Sequence, residues 1–98
     1  MSPTIKLYAS NELPPRHKVT LVAVDGNDFT PCSHATITIS LNGRVLQHIT
    51  MGVDKNGGFR WDSSLTPQLS CDSQALAVAH DSDSGLDSNE DMATPFCP

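Results

Sequence analysis

Residues 35–41 read A-T-I-T-I-S-L and are followed at once by Asn42-Gly43. Apolar and hydroxyl side chains alternate without a break. Ile37, Ile39 and Leu41 therefore point to one side of an extended strand, and Thr36, Thr38 and Ser40 to the other. One side is buried and the other wet, which is the pattern of an antiparallel sheet covered on a single face. Asn-Gly then supplies the two positive-φ residues of a type I′ turn, which reverses the chain in two residues and matches the twist of its flanking strands. The return run, residues 44–53, carries Val45, Ile49 and Met51 on one face.

The rest of the chain follows the same period of two. Ile5, Leu7 and Ala9 alternate with Lys6 and Tyr8 in a short first strand. Residues 11–15 are expected to break it, because Pro14 and Pro15 cannot donate to a ladder. A second strand over residues 18–24 sets Val19, Leu21 and Ala23 on one face and Thr20, Val22 and Val24 on the other. It runs into D-G-N-D-F-T-P, a corner at which Gly26 permits a positive φ and Pro31 forces an extended approach. Residues 54–58 form a second turn, and Phe59 and Trp61, two apart, are expected to centre the core. Residues 66–73 are a loop around Pro67. Residues 74–80 form a strand despite their alanines, since seven residues between loops are too few for a helix. D-S-D-S-G is a turn, and residues 90–97 are the last strand. One all-β domain is expected over residues 1–98. It is an antiparallel sandwich of about seven strands, with an N-terminal strand and Pro-containing arm in 1–16 and the core in 17–97. A chain with 38% hydrophobic residues and only five aromatics suits two thin layers.

The formal charge is −5, from 11 acids and 6 bases, and the largest basic cluster is Arg16 and Lys18 around His17. Nucleic acid and anionic membranes need concentrated positive charge, so neither is an expected partner. No apolar run approaches the roughly 20 residues of a membrane span. The opening M-S-P-T-I-K-L-Y-A-S lacks the basic start and apolar block of a secretory signal. The expectation is either a piece of a longer secreted protein or a small protein made in a cytoplasm.

The order G-N-D-F-T-P after a strand, T-I-T-I-S-L-N-G, V-D-K-N-G-G-F and L-A-V-A-H-D-S-D-S-G, spread over residues 17–90, resembles bacterial immunoglobulin-like domains of the IPT/TIG type. The resemblance implies an immunoglobulin-like β-sandwich in which Gly26 and Phe29 form a corner with Phe29 plugging the core, and Asp54, Asn56 and Gly57 form a turn between sheets. Two residues depart from the family pattern. Asp28 stands where the family often has its second Gly, and Cys32 where it often has Gly after Pro31. Both fall on one loop, where specialisation is expected. The motifs describe turns and strand edges and say little of activity.

Cys71 and Cys97 have their midpoint at Ser84, inside the D-S-D-S-G turn. A symmetric final hairpin would set them opposite one another, within reach of a cross-strand disulfide; the alternative is two separate thiols in a reducing cell. Cys32 is left over at the opposite end, a small loop residue or a thiol that links to a partner.

With strands alternating in direction, the loops at 25–34, 54–58 and 81–88 gather at one end. That end holds Asp25, Asp28, Asp54, Asp81, Asp83 and Asp87, with Cys32, His34 and Asn56 nearby. Convergent carboxylates suit calcium. D-S-D-S-G-L-D resembles the start of an EF-hand loop, with Asp81, Asp83 and Asp87 as its candidate ligands, but Met92 occupies the place of the bidentate Glu. Solvated acidic hairpin tips are the plainer alternative. No nucleophile elbow, H-E-x-x-H or phosphate loop is present, so no catalytic residues and no cofactor other than calcium are expected. The expected role is a non-catalytic module that binds protein partners or identical subunits, as a decoration or accessory protein on the surface of a virus particle, a bacteriophage. The alternative is a spacer or adhesion module of a secreted bacterial surface protein or carbohydrate-active enzyme.

Overall fold

A computed structural model describes residues 2–12 and 18–98; the expected break at Pro14 and Pro15 lies outside them. Seven strands follow in order: β1 (Thr4–Asn11), β2 (Thr20–Asn27), β3 (His34–Leu41), β4 (Arg44–Gly52), β5 (Phe59–Leu65), β6 (Ala75–Asp81) and β7 (Asp91–Ala93). They form two antiparallel sheets, β1-β2-β5 and β4-β3-β6-β7. The result is an all-β sandwich of two sheets, in which the fourth strand pairs with the third; constant-type immunoglobulin domains pair it with the fifth. No helix among the described residues is long and apolar enough to cross a membrane.

The core lies where the inner faces meet. Ile5, Leu7, Val22 and Val24 from one sheet oppose Ile37, Ile39, Ala75, Ala77 and Ala79 from the other, closed by Phe29, Val53, Phe59 and Leu65. In β2 the inward face is the one that carries Thr20, Val22 and Val24, while Leu21 turns outward. The alanines of β6 are fully buried; side chains that small let the layers approach closely.

Local expectations fail in five places. Trp61 packs on the flank of the core, half-buried, rather than at its centre. The β3–β4 register slips between Ile39 and Ser40, leaving Leu46 of β4 as the extra residue. A one-residue bulge reverses the faces beyond it, so Leu46 packs toward the core and Val45 is 57% exposed. The first strand runs on through Asn11, expected to belong to the break, which pairs with Thr20 as its last residue. The last strand is only three residues long; beyond it the chain crosses to the other sheet, where Phe96 forms a parallel bridge with Ser10. Gly26, finally, lies inside β2 without a positive φ, and the left-handed residues of the corner are Asp28 (φ 64°) and Cys32 (φ 59°). What holds Gly26 to glycine is the Phe59 ring stacked on it, since a Cβ there would lie 2.0 Å from the ring.

Candidate interaction face and loop end

The outer face of β1-β2-β5 presents its side chains in rows set by strand register. Lys6, Asp25 and Arg60 share the first row, Tyr8, Ala23 and Asp62 the second, and Ser10, Leu21 and Ser64 the third. Phe96 extends the third row through its bridge to Ser10. Ala23 is the smallest side chain at the centre, and the rings stand up around it. The outcome is an open groove of about 760 Å³ whose lining includes Tyr8, Leu21, Ala23, Arg60, Asp62 and Phe96.

Three large apolar side chains face solvent there: Tyr8 is 44% exposed, Leu21 43% and Phe96 66%. Two cations flank the Tyr8 ring, with Lys6 Nζ 5.8 Å and the Arg60 guanidinium 5.7 Å from its centroid. Arg60 Nη1 also donates to both oxygens of Asp25 at 2.9 Å. Phe96 is exposed yet firmly placed. Its N–H donates to Ala9 O (3.0 Å), its carbonyl accepts from Asn11 N–H (2.8 Å), and the next residue, Cys97, is bonded to Cys71. The groove therefore offers ring faces, aliphatic surface, hydroxyls and a guanidinium–carboxylate pair on a rigid sheet.

The disulfide joins Cys71 and Cys97 across a Cα–Cα distance of 6.0 Å. The β6–β7 register, Ala75↔Ala93 and Ala77↔Asp91, is centred on Ser84. A buried polar cluster stands beside it. Thr20 Oγ1 donates to Asn11 Oδ1 (2.6 Å) and accepts from Leu69 N–H (2.9 Å), while Asn11 Nδ2 donates to Leu69 O (2.9 Å) and toward Cys97 Sγ (3.4 Å).

At the opposite end the three loops do meet, and backbone hydrogen bonds hold them. Phe29 N–H donates to Gly57 O, Cys32 N–H to Asp54 O, and Ser82 N–H to His34 O. The acids, however, do not converge on a ligand. Asp81 is buried, and its carboxylate accepts from the N–H and hydroxyl of Thr30 (both 2.8 Å) and from the N–H groups of Asp83 and Ser84. Burial, the largest single influence, raises its pKa, but these donors together outweigh it and hold the group at about 2. Asp54 caps its own turn through Gly58 N–H and Asn56 N–H, which lower its pKa in that order of strength. Asp87 pairs with His80 at 2.7 Å, Asp25 belongs to the sheet face, and Asp28 and Asp83 are exposed. Among the described residues no group of three His, Cys, Asp or Glu side chains is placed to hold a metal ion, because Asp81 is spent on internal donors and Asp87 on His80. Cys32 is an exposed free thiol and His34 begins β3, exposed.

Two features escaped sequence reasoning. The alternation Ala75, Ala77, Ala79 already carries Asp81 to the buried face by parity, a signal that was available. Phe96 falls in the run expected as the last strand, and nothing local announces that the chain leaves β7 for the other sheet. Comparison of the chain with family models, with curated proteins and with solved structures found no match.

Proposed function

We propose that the chain is a non-catalytic docking module whose working surface is the outer face of β1-β2-β5. The observation that carries this reading is the cluster of Tyr8, Leu21 and Phe96, three large apolar side chains exposed side by side on a rigid sheet. A contiguous apolar patch rimmed by charges is the usual mark of a protein interaction site. The setting we propose is the surface of a virus particle, with the chain as a decoration or accessory protein. The Cys71–Cys97 disulfide suits such a setting, because disulfides persist on virions and outside cells and are rare in the cytosol. The same bond favours the second reading, a spacer or adhesion module of a secreted bacterial surface protein or carbohydrate-active enzyme.

Membership of the IPT/TIG type is part of the proposal. Supporting it, Phe29 does plug the core at the corner, 5.0 Å from Phe59 in an edge-to-face pair. The two positions at which the chain departs from the family's glycines, Asp28 and Cys32, are both left-handed, the conformation that glycine adopts without strain.

The test is to fractionate the source into particles, cell surface and soluble material, and to label the fraction that holds the chain with hydroxyl radicals. Protection of Tyr8, Leu21 and Phe96 in particles, relative to the free chain, is the expected result. Recovery at the cell surface with the same protection would select the second reading. Recovery in the soluble fraction, or full labelling of all three residues in particles, overturns the docking face.

A further inference from the structure

We propose that the outer edge of β4 is a strand-addition site whose occupant is β4 of a second copy of this chain. The inference does not rest on the docking face.

The two sheets end in four edge strands, and they are not alike. Along β1, Ile5 N–H donates to Asn89 Oδ1 and Leu7 N–H to Asp91 Oδ2, both at 2.8 Å, and Asn89 Nδ2 returns a bond to Ile5 O. Phe96 then takes up Ala9 O and Asn11 N–H. That edge is closed to any added strand. β7 is three residues long, and β5 carries Arg60 and Asp62. β4 is different: it runs nine residues, from Arg44 to Gly52, and among the described residues nothing bonds its outward backbone.

Register shows which groups are free. Leu41↔Arg44 flanks a two-residue turn and so exchanges both backbone bonds. Antiparallel alternation then gives bonded pairs at Ile37↔Ile49 and Ala35↔Met51, and leaves His48 and Thr50 with N–H and C=O directed away from β3. The side chains agree. Thr36 with Thr50 and Thr38 with His48 touch at 3.0 Å, as expected of non-bonded pairs, where opposed side chains stand closest.

The composition of this edge invites pairing. No Asp, Glu, Lys, Arg or Pro occurs between Arg44 and Asp54. Proteins commonly blunt a free edge with such residues, and here the blunting is confined to one end, to Arg44 and the bulge near Leu46. The regular part, residues 47–52, has the length and low charge of a self-pairing segment.

A two-fold axis normal to the sheet brings identical strands together antiparallel, the sense in which every strand of this sheet already pairs. An axis through Ile49 sets His48 against Thr50 of the partner subunit and the reverse, forming about four backbone hydrogen bonds. It also carries Arg44 of each copy to the loop end of the other, where Asp28 and Asp54 outnumber Lys55. The two four-stranded sheets become one of eight strands.

The test is sedimentation of the isolated chain over a concentration series, in a Cys32→Ser background that removes thiol linkage, with amide exchange read alongside. The expected result is a concentration-dependent dimer in which the His48 and Thr50 amides exchange at least roughly tenfold more slowly than in the dilute monomer. Thr50→Lys, whose side chain is exposed and gives up only the hydroxyl contact with Thr36, should weaken the dimer at least roughly tenfold and lower the melting temperature of the monomer by no more than a few degrees. A monomer at every concentration overturns the proposal. So does a dimer that tolerates Thr50→Lys, or one in which those two amides exchange as fast as before.

Discussion

Gly26→Ala is the sharpest probe of the packing that joins the corner to the core. A Cβ at position 26 would lie 2.0 Å from Cε2 of Phe59 and 2.5 Å from Cδ2 and Cζ, where about 3.5–4 Å is comfortable. The ring has to move, and Phe29 stands against it with centroids 5.0 Å apart. Phe29 is itself held at the backbone, where its N–H donates to Gly57 O at 3.0 Å. Overpacking of this kind costs about 1–3 kcal/mol, and misaligning the aromatic pair about 0.5–1.5 kcal/mol. Against these, replacing glycine restricts the unfolded chain and returns about 0.4–1 kcal/mol. The net expectation is a loss of about 2 kcal/mol, or about 10 °C in melting temperature for a domain of this size.

Gly52→Ala is the matched control. It too is a strand glycine without positive φ, but nothing lies within 4 Å of its Cβ position, so its melting temperature should hold or rise slightly. Combining Gly26→Ala with Phe59→Leu should cost at least about 1 kcal/mol less than the two single losses together, because the smaller side chain vacates the contested space. A Gly26→Ala protein that melts within about 2 °C of the parent, or a double variant with strictly additive losses, would refute the account of Gly26 as a ring contact.

Other expectations follow from the same structure. Cys32→Gly and Asp28→Gly relieve left-handed backbone at φ 59° and 64° and should raise the melting temperature by a few degrees, the cysteine more because Asp tolerates that region better; a fall in either melt would contradict this. Asp81 is held at about 2 against 3.8 for the free group, so its contribution, about 2 kcal/mol, is complete above about pH 5 and drains as pH falls toward 2. Urea midpoints should therefore drop more steeply with acid in the parent than in Asp81→Asn, and parallel curves would sink the assignment. Replacing Cys71 and Cys97 by Ser opens a 26-residue closure and should remove about 3.5 kcal/mol of stability, measured by denaturant midpoint in oxidised and reduced samples.

Alternation made the strands legible because each buries one face: the inward set of β3 and the turn at Asn42-Gly43, with φ of 51° and 82°, could be read directly from residues. Failures occurred where the deciding contact is distant in sequence. The slip that exposes Val45 depends on how β4 meets β3, and V-L-Q-H-I-T-M reads equally well in either phase. Gly26 was read for its backbone freedom, whereas its reason stands more than thirty residues away in Phe59. The loop-end acids share a composition that suits calcium, yet whether a carboxylate is free or already satisfied depends on donors supplied by another loop, as Thr30 does for Asp81. Local pattern could bring these acids to one end of the sandwich. It could not say that the fold itself uses them.

That use bears on where binding can occur. In many immunoglobulin-like domains the loops at one end are the adaptable surface, but here the loop end is tied together by Asp81, Asp54 and three loop-to-loop backbone bonds. Loosening it to grip a partner would break charge-assisted hydrogen bonds, which are stronger than neutral ones. The opposite end is clamped by the disulfide and the Asn11–Thr20 cluster, and the edge of β1 is sealed by Asn89, Asp91 and Phe96. Two surfaces that stay accessible without unfolding anything are the outer face of β1-β2-β5 and the edge of β4. These belong to different sheets, so a strand added to β4 extends its own sheet sideways and leaves the groove between Tyr8 and Phe96 uncovered. A copy docked through that groove can accept a second copy on β4 without surrendering its first partner.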